Sequence, residues 1–298
     1  MQRKIFVLKK PMRKLALTLF VVVVTLSQLK AQSYSYTVLE NDPGKAYTKF
    51  VAPEFGSEFS GANVSILVGA NARMGISDKL TFEGDAQLDV YQLNGKGLGY
   101  HLEGGVFLPL KTKTKIKDVP VILSYNPYAG TKYENGKSYN IEETKYLTIP
   151  DMDYKDQYGV RGGIYTRGMS VESDGIRAAA AVGNLSLVGP YIGVQKTSQA
   201  YVKTKINDDV DRIGAGFGRY FIDVMLFPVR SLSDEAIAPE LKKDKFVGWR
   251  GGFQWYLDPH DGDYKRLMNS VFTAEIGSRP YTGFYLNFTW GFAFMNQR

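Results

Sequence analysis

The segment 284–294 alternates strictly between large apolar residues and small or polar ones. Its large apolar positions are Phe284, Leu286, Phe288, Trp290, Phe292 and Phe294. Because successive side chains of a strand point to opposite faces, this segment has one apolar face and one polar face. About ten tilted residues are enough for a strand to cross the hydrocarbon layer of a bilayer. The pattern is therefore typical of a membrane-spanning strand whose apolar face contacts lipid.

The same alternation recurs along the chain from residue 60 onward, with glycine-rich or charged breaks between the segments. In the segment Leu80–Tyr91, for example, Phe82 and Leu88 share one face while Glu83 and Asp89 share the other. We predict about twelve strands, with ten and fourteen as the alternative counts. They lie near residues 60–73, 79–93, 97–110, 119–133, 138–149, 158–170, 175–183, 187–204, 212–228, 245–257, 268–278 and 284–294. An even number of such strands predicts an all-β fold, a transmembrane antiparallel up-and-down β-barrel.

The first 31 residues have the layout of a cleaved secretory signal peptide. They carry seven basic residues and no acidic one, and an apolar run extends from Leu15 to Leu26. A membrane anchor is the alternative, but the run is shorter than the ~20 residues that a spanning helix needs. Residues 32–59 contain a turn signal at 41–44 and further Pro and Gly residues. We therefore predict an N-terminal arm over 32–59, periplasmic or inserted into the lumen, and a barrel over 60–298.

The net charge of +7 belongs to the signal peptide rather than to the mature protein. Removing its seven basic residues leaves 37 − 7 = 30 basic residues against 30 acidic ones. A neutral mature chain gives no support for a nucleic-acid partner. The chain also has no cysteine. An exported protein without disulfides fits a large sheet that its own hydrogen bonds close.

The connections between the predicted strands test the barrel independently. If the chain enters from the periplasm, the outer loops include 111–118, 150–157 and 231–245. The inner connections are mostly short, such as Asn94–Lys96 and the one holding Asn135 and Gly136. The shorter outer links 75–79 and 279–283 and the longer inner link 258–266 depart from this rule. Short inner turns and longer outer loops are the pattern of bacterial membrane barrels, and both termini are then periplasmic.

Charged residues on the polar faces of the predicted strands are the candidate lumen and selectivity groups. They are Glu83, Asp85, Asp89, His101, Glu103, Arg161, Arg167, Arg219 and Arg250. One interpretation is an acidic wall facing a basic wall, which would set up a transverse field across a pore. The other is a filled interior that Arg–carboxylate pairs cross-link. A barrel of about twelve strands has a narrow lumen, which favours the second interpretation.

Catalysis has weaker support. His101 and Glu103 share a face and are the only catalytic candidates, but no serine lies beside them in sequence to act as the nucleophile. The segment 258–263 carries three aspartates and His260, without the spacing of a calcium loop. The basic run 111–117 contacts lipopolysaccharide phosphates if it lies outside, or is simply a solvated loop. We expect no metal, no cofactor and no enzymatic activity.

These features together resemble the outer-membrane β-barrel proteins of Gram-negative bacteria. The leader ending Ala31-Gln32 and the Tyr- and Gly-rich strands are similar to the Bacteroidota members. The resemblance implies an outer-membrane location in contact with lipid. It also implies an aromatic terminal strand, here with Phe292 and Phe294, that the barrel-assembly machinery recognises. The tail 295–298, which continues past the last aromatic residue, departs from that pattern.

Three functional hypotheses follow. The first is an outer-membrane barrel that acts as a narrow passive channel or as a structural or accessory barrel of an envelope complex. The second is an outer-membrane lipid-modifying enzyme that uses His101. The third is a soluble exported β-sandwich that binds a ligand.

Overall fold

The computed structural model describes nine segments of the chain. They are residues 34–43, 48–61, 63–77, 79–93, 98–172, 182–207, 210–233, 245–256 and 268–295. Outside the described residues lie the predicted signal peptide, residues 175–181 of the predicted strand 175–183, most of the predicted loop 231–245 and the aspartate-rich segment 258–263. Residues 182 and 183 of that predicted strand belong to the next observed strand. Within them, no helix has the length and apolarity to span a bilayer.

The described residues form twelve β-strands. They are β1 (Tyr36–Asn41), β2 (Thr48–Ser60), β3 (Val64–Ser77), β4 (Leu80–Gln92), β5 (Gly99–Glu134), β6 (Lys137–Glu172), β7 (Val182–Ile206), β8 (Val210–Leu226), β9 (Val229–Leu232), β10 (Val247–Tyr256), β11 (Met268–Arg279) and β12 (Gly283–Met295).

Ten of these strands close into an antiparallel barrel in the order β2-β3-β4-β5-β6-β7-β8-β10-β11-β12, and β12 pairs with β2. The short strands β1 and β9 each pair with β7 outside this ring. The predicted all-β antiparallel up-and-down barrel is confirmed, and its ring has ten strands, which is one of the two alternative counts and not the leading prediction of about twelve. A single sheet that closes on itself also rules out the β-sandwich hypothesis, which requires two packed sheets.

One predicted boundary is wrong, because Thr48–Ser60 is a barrel strand and not part of an arm. It pairs with β12 on one side and with β3 on the other. Pro53 interrupts the alternation, and the register shift between Val51 and Glu54 accommodates this interruption. Beyond that shift, Glu54 and Glu58 are buried while Phe55 and Phe59 are exposed, as in the other strands.

The predicted loops 111–118 and 150–157 are also wrong. They lie within β5 and β6, which continue as one long hairpin to a turn at Asn135 and Gly136. Both turn residues have positive φ, 51° and 74°, as a tight hairpin turn requires. The charged run was taken as a break, but alternating Lys and Thr are compatible with a strand that has left the membrane.

Strand β2 is a barrel strand that precedes the first predicted one. The first connections therefore lie at the end of the barrel opposite to the predicted end. Met295 pairs with Lys49, so the start of β2 and the end of β12 share one end of the barrel, here called the terminal end. The β3–β4 connection and the tip of the β5–β6 hairpin lie at this end too. The β4–β5 connection, predicted to share an end with the termini, is at the opposite end with β9.

The outer wall of the barrel is apolar. Large apolar side chains that are at least 40% exposed cover it on every side, and examples are Phe55, Ile66, Leu88, Leu102, Ile164, Ile192, Ile222, Trp249, Ile276 and Phe288. In β12, Phe284, Phe288 and Trp290 are exposed, and Leu286 and Phe292 are partly exposed. The backbone of Phe294 continues the strand. A continuous apolar exterior is the property that distinguishes a membrane barrel from a soluble one.

At the terminal end the β5–β6 hairpin leaves the ring and forms a second layer. Val119 and Val121 of β5 and Ile149 of β6 pack on Ala200 and Val202 of β7. Strand β1 pairs with this part of β7, over 202–206, where β6 has left it. The small core that results is of the kind found between the two layers of a soluble β-sandwich.

Beyond this second layer the hairpin continues as a two-stranded arm, residues 124–146. Its strands pair only with each other, from Ser124 opposite Lys145 to Glu134 opposite Lys137. Most of its residues are exposed, and Tyr128 and Tyr133 are both 80% exposed. At ~3.4 Å per residue the arm is about 35 Å long.

Candidate functional site: the barrel interior

The polar faces of the barrel strands converge on a shared interior. All nine of the predicted lumen residues point into it: Glu83, Asp85, Asp89, His101, Glu103, Arg161, Arg167, Arg219 and Arg250. Strands β4, β5, β6, β8 and β10 supply them, which explains how residues distant in sequence meet. The side chains form three groups along the barrel axis.

The group nearest the opposite end centres on Arg167. Its two terminal nitrogens, Nη1 and Nη2, donate to Oδ1 and Oδ2 of Asp89 at 2.8 and 2.9 Å, and Nη2 also donates to Glu58 at 3.2 Å. Arg279 lies 2.8 Å from the other oxygen of Glu58, and its guanidinium stacks on the ring of Tyr285. Paired guanidinium and carboxylate groups with this fork geometry are strong, specific interactions.

The middle group joins two arginines to three acids. Arg250 donates to Glu103 at 2.6 Å and to Asp223 at 2.7 Å, and lies 3.4 Å from Glu275. Arg161 donates to the other oxygen of Glu103 at 2.5 Å. The aromatic rings of β7 and β8 pack on both guanidinium groups, with ring centroids between 4.5 and 5.4 Å away. Such cation–π contacts contribute to holding the two charges in place.

The group nearest the terminal end centres on Glu83. Its carboxylate accepts hydrogen bonds from Arg219 at 3.1 Å and from Gln195 at 2.9 Å, and Arg73 lies 3.3 Å away. Beside it, Glu54 accepts hydrogen bonds from Asn71 at 3.0 Å and from the Thr289 hydroxyl. Aromatic and aliphatic side chains then fill the interior up to the terminal end, and they include Val51, Phe217, Tyr256 and Val271.

His101 lies between two carboxylates. Its Nδ1 is 3.7 Å from Asp85 and its Nε2 is 3.9 Å from Glu103, and its ring contacts Tyr165 at 4.8 Å between centroids. The side chain is only 8% exposed. A cavity of about 50 Å³ adjoins it. A cavity needs ~10–15 Å³ of such volume to hold a water molecule, so this one is large enough for water.

The interior charges nearly cancel. The described strands bring together eight carboxylates and six guanidinium groups, which gives 6 − 8 = −2 when every group is charged. Acids and arginines pair with one another instead of lining opposite walls of an open passage. The contacts therefore fit the filled interior better than the transverse field. Removing one partner of such a pair would leave an uncompensated buried charge.

Sequence reasoning missed several members of this network. Glu54 and Glu58 were assigned to the arm, while Arg73, Asp223 and Arg279 were not selected at all. Their signal was nevertheless present in the sequence, since each except Arg279 alternates with apolar outward residues such as Phe55, Met74 and Ile222. Arg279 is the last residue of β11, so no outward residue of the same strand follows it to show the alternation.

Other chemical candidates have little structural support in the described residues. No group of three or more His, Asp or Glu side chains within those segments is arranged to hold a metal ion. In the basic run, Lys115 donates to Asp156 at 2.6 Å, and the Lys117 ammonium lies 4.1 Å from the centre of the Tyr154 ring. The run is therefore partly occupied by contacts within the protein.

No family model matches the sequence, and no curated protein matches it significantly. The solved structures that match it over most of its length include two outer-membrane proteins. One is Pseudomonas aeruginosa OccK2 (OpdF) in complex with glucuronate, with 10% identity, a TM-score of 0.19, and coverage of 87% of this chain and 100% of that one. The other is OmpT, an outer membrane protein of Vibrio cholerae, with 9% identity, a TM-score of 0.19, and coverage of 89% and 98%.

TM-scores this low carry no argument about mechanism or cargo. The fold class rests on the strand pairing of the chain itself. An antiparallel barrel of even strand number with an apolar outer wall is the fold class of outer-membrane barrels.

Proposed function

We propose that this protein is a closed outer-membrane barrel that serves as a structural or accessory component of an envelope complex. The observation that carries the proposal is the interior, which ion pairs and aromatic side chains fill along its length. Six arginines, all but Arg219 no more than 10% exposed, are held by carboxylates that belong to neighbouring and facing strands. Such a core stabilises a membrane anchor and obstructs the diffusion of solutes.

The second support is the arm. Both termini are predicted to be periplasmic, and the arm projects from that same end, which departs from the short periplasmic turns of other bacterial barrels. Its exposed tyrosines include Tyr128, Tyr133 and Tyr146. Aromatic residues are enriched at protein interfaces, and a two-stranded arm also offers strand edges for pairing. The arm therefore suits contact with a periplasmic partner.

The partners that we propose are outer-membrane lipid along the wall, the barrel-assembly machinery during biogenesis and an envelope protein at the arm. The channel hypothesis requires a continuous passage, whereas Arg161, Arg167 and Arg250 and their carboxylates occupy the described interior. The cavity beside His101 measures about 50 Å³. The enzyme hypothesis requires lipid to reach His101, which is enclosed by Asp85, Glu103 and Tyr165. We therefore propose no catalytic role for this histidine.

Planar-bilayer recording tests the closed interior. The purified protein is expected to insert into the bilayer without producing conductance steps, whereas regular steps would restore the channel hypothesis. Cell fractionation tests the membrane placement separately. The protein is expected in the outer-membrane fraction, with an electrophoretic mobility that changes on boiling, and release by osmotic shock without detergent would contradict it.

A further inference from the structure

The outer wall of the barrel carries a concave apolar groove of about 780 Å³. It crosses seven neighbouring strands, from β5 through β6, β7, β8, β10 and β11 to β12. Two registered rows of outward side chains line it. The first row consists of Leu108, Val160, Val194, Ile222, Gly251, Ile276 and Leu286, of which all but Leu108 line the groove. The second consists of Lys111, Tyr158, Lys196, Tyr220, Phe253, Ala274 and Phe288.

Small residues create the depth of the groove. Gly251 and Ala274 stand in the rows where the neighbouring strands carry Ile222, Phe253 and Phe288. Six strand spacings of ~4.8 Å make the groove about 29 Å long. One leaflet contributes about half of the ~30 Å hydrocarbon layer. A lipid acyl chain that lies diagonally along the wall therefore has room in the groove.

One end of the groove is cationic. Lys111 and Lys196 stand on either side of Tyr158 in the same row, two strand spacings or about 10 Å apart. The Lys196 ammonium lies 5.6 Å from the centre of the Tyr158 ring. The carboxylate among the lining residues, Glu275, turns inward to Arg250 at 3.4 Å. Asp156, in the next row, interacts with Lys196 but is bound by Lys115 at 2.6 Å, so positive charge is in excess at this end.

The other polar groups of this end are those expected at the edge of a bilayer. Tyr220 continues the lysine row, and its hydroxyl accepts a hydrogen bond of 2.9 Å from the indole of Trp255. Tyr and Trp side chains prefer this depth because their rings are apolar and their polar ends reach the headgroups. Two lysines and two tyrosines at the mouth of an apolar groove complement an amphiphile with a negatively charged head.

We propose that this groove binds an anionic glycerophospholipid. Lys111 and Lys196 hold its phosphate, and an acyl chain lies along Ile222, Gly251 and Ala274. The inference rests on the proposed membrane placement of the wall. Because the lysines lie toward the terminal end, the lipid belongs to the periplasmic leaflet.

The test uses the full mature chain, purified in detergent, with phosphatidylglycerol, phosphatidylcholine and lipopolysaccharide as the three probes. Native mass spectrometry reports the affinity for each lipid. The wild-type protein is expected to prefer phosphatidylglycerol. The double variant Lys111→Gln/Lys196→Gln is expected to lose that preference by roughly 30-fold, because each lysine near an anionic headgroup contributes about fivefold. The matched control Lys132→Gln/Lys145→Gln, on the exposed arm, is expected to keep it.

A third variant, Gly251→Leu, tests the groove itself. A Cβ at this position would lie 3.5 Å from the Phe221 carbonyl oxygen and 3.7 Å from Ile222, which is ordinary contact. The leucine therefore fills the groove without a backbone clash and is expected to lower the affinity for both phospholipids about tenfold, the effect of about two lost methylene contacts.

An unchanged lipid preference in the double lysine variant would overturn the proposal, and so would equal affinity of the wild-type protein for the two phospholipids. Stronger binding of lipopolysaccharide than of phosphatidylglycerol would overturn the assignment to the periplasmic leaflet. All variants are expected to fractionate with the outer membrane. Failure of the wild-type protein to do so would instead contradict the proposed function.

Discussion

Arg167 and Asp89 form a two-point ion pair across the barrel interior, although 78 residues separate them in the chain. Both side chains are fully enclosed, and β5 lies between the strands that carry them. The same guanidinium reaches Glu58 of β2, which lies across the closed ring. One side chain thus links β6 to two other parts of the wall, so its pairing depends on closure of the barrel.

Replacing Asp89 with Asn is expected to destabilise the barrel by about 3–5 kcal/mol, because Arg167 then keeps a buried charge without its main partner. Urea unfolding of the protein in detergent measures this. Glu134→Gln is the matched control, since its pair with Lys132 is more than half exposed on both sides and contributes at most about 1 kcal/mol. A loss of less than 1 kcal/mol for Asp89→Asn would contradict the structural role of the pair.

Replacing His101 with Ala is expected to leave lipid hydrolysis and acyl transfer in outer-membrane preparations unchanged. The imidazole faces carboxylates and a tyrosine ring inside the barrel, away from the lipid-facing wall. Turnover of radiolabelled phospholipid and lipopolysaccharide, compared between wild-type and variant protein, is the measurement. A fall in turnover without a fall in the amount of folded barrel would revive the enzyme hypothesis.

The orientation of the arm is testable because the chain has no cysteine. A single cysteine at Tyr128, on the arm, is expected to react with a membrane-impermeant maleimide only after the outer membrane is permeabilised. A single cysteine at Ser231, in β9 at the opposite end, is expected to react in intact cells. The reverse pattern would place the arm and both termini outside the cell.

The β5–β6 hairpin contains an acid-sensitive contact at Asp156, which pairs with Ser198 of β7 on the terminal side of the Lys111 and Lys196 row. Burial alone would raise the pKa of Asp156, but hydrogen bonds from Lys115 and from the Ser198 hydroxyl outweigh it and lower this pKa. A lowered pKa means that Asp156 stabilises the fold above its ordinary value of about 4 and loses that effect as the pH falls through the folded value.

Asp156→Asn is therefore expected to lower the melting temperature at pH 7, with the gap to the wild-type protein closing as the pH falls below about 4. Thermal unfolding in detergent across this range measures the gap. A difference that stays constant down to pH 3 would show that the carboxylate charge contributes nothing. Lys203→Gln, which removes a more exposed pair with Asp211, is the control and is expected to change stability by less than 1 kcal/mol.

The sequence correctly predicted the faces of the strands, which local alternation determines. It did not predict contacts that depend on which distant strands pair. Phe288 and Trp290 were correctly assigned to an outward apolar face, since the period of two is a local property. The partners of Arg167 depend on which strands meet after closure, which no local pattern contains. Glu54 and Glu58 were lost because Pro53 was taken as the mark of an irregular arm. The lysines of 111–117 were assigned to a loop because the run of charge was taken as the end of a strand. Such a run marks where a strand leaves the membrane, and β5 continues beyond that point.

The most direct test of the closed interior is the conductance of the wild-type protein in a planar bilayer. Insertion is verified independently by flotation of the same protein with liposomes, and an open porin recorded under the same conditions establishes the sensitivity. We expect liposome-associated protein without conductance steps at any voltage, because Arg161, Arg167 and Arg250 and their carboxylates occupy the lumen. Reproducible steps that scale with salt concentration would contradict the closed barrel.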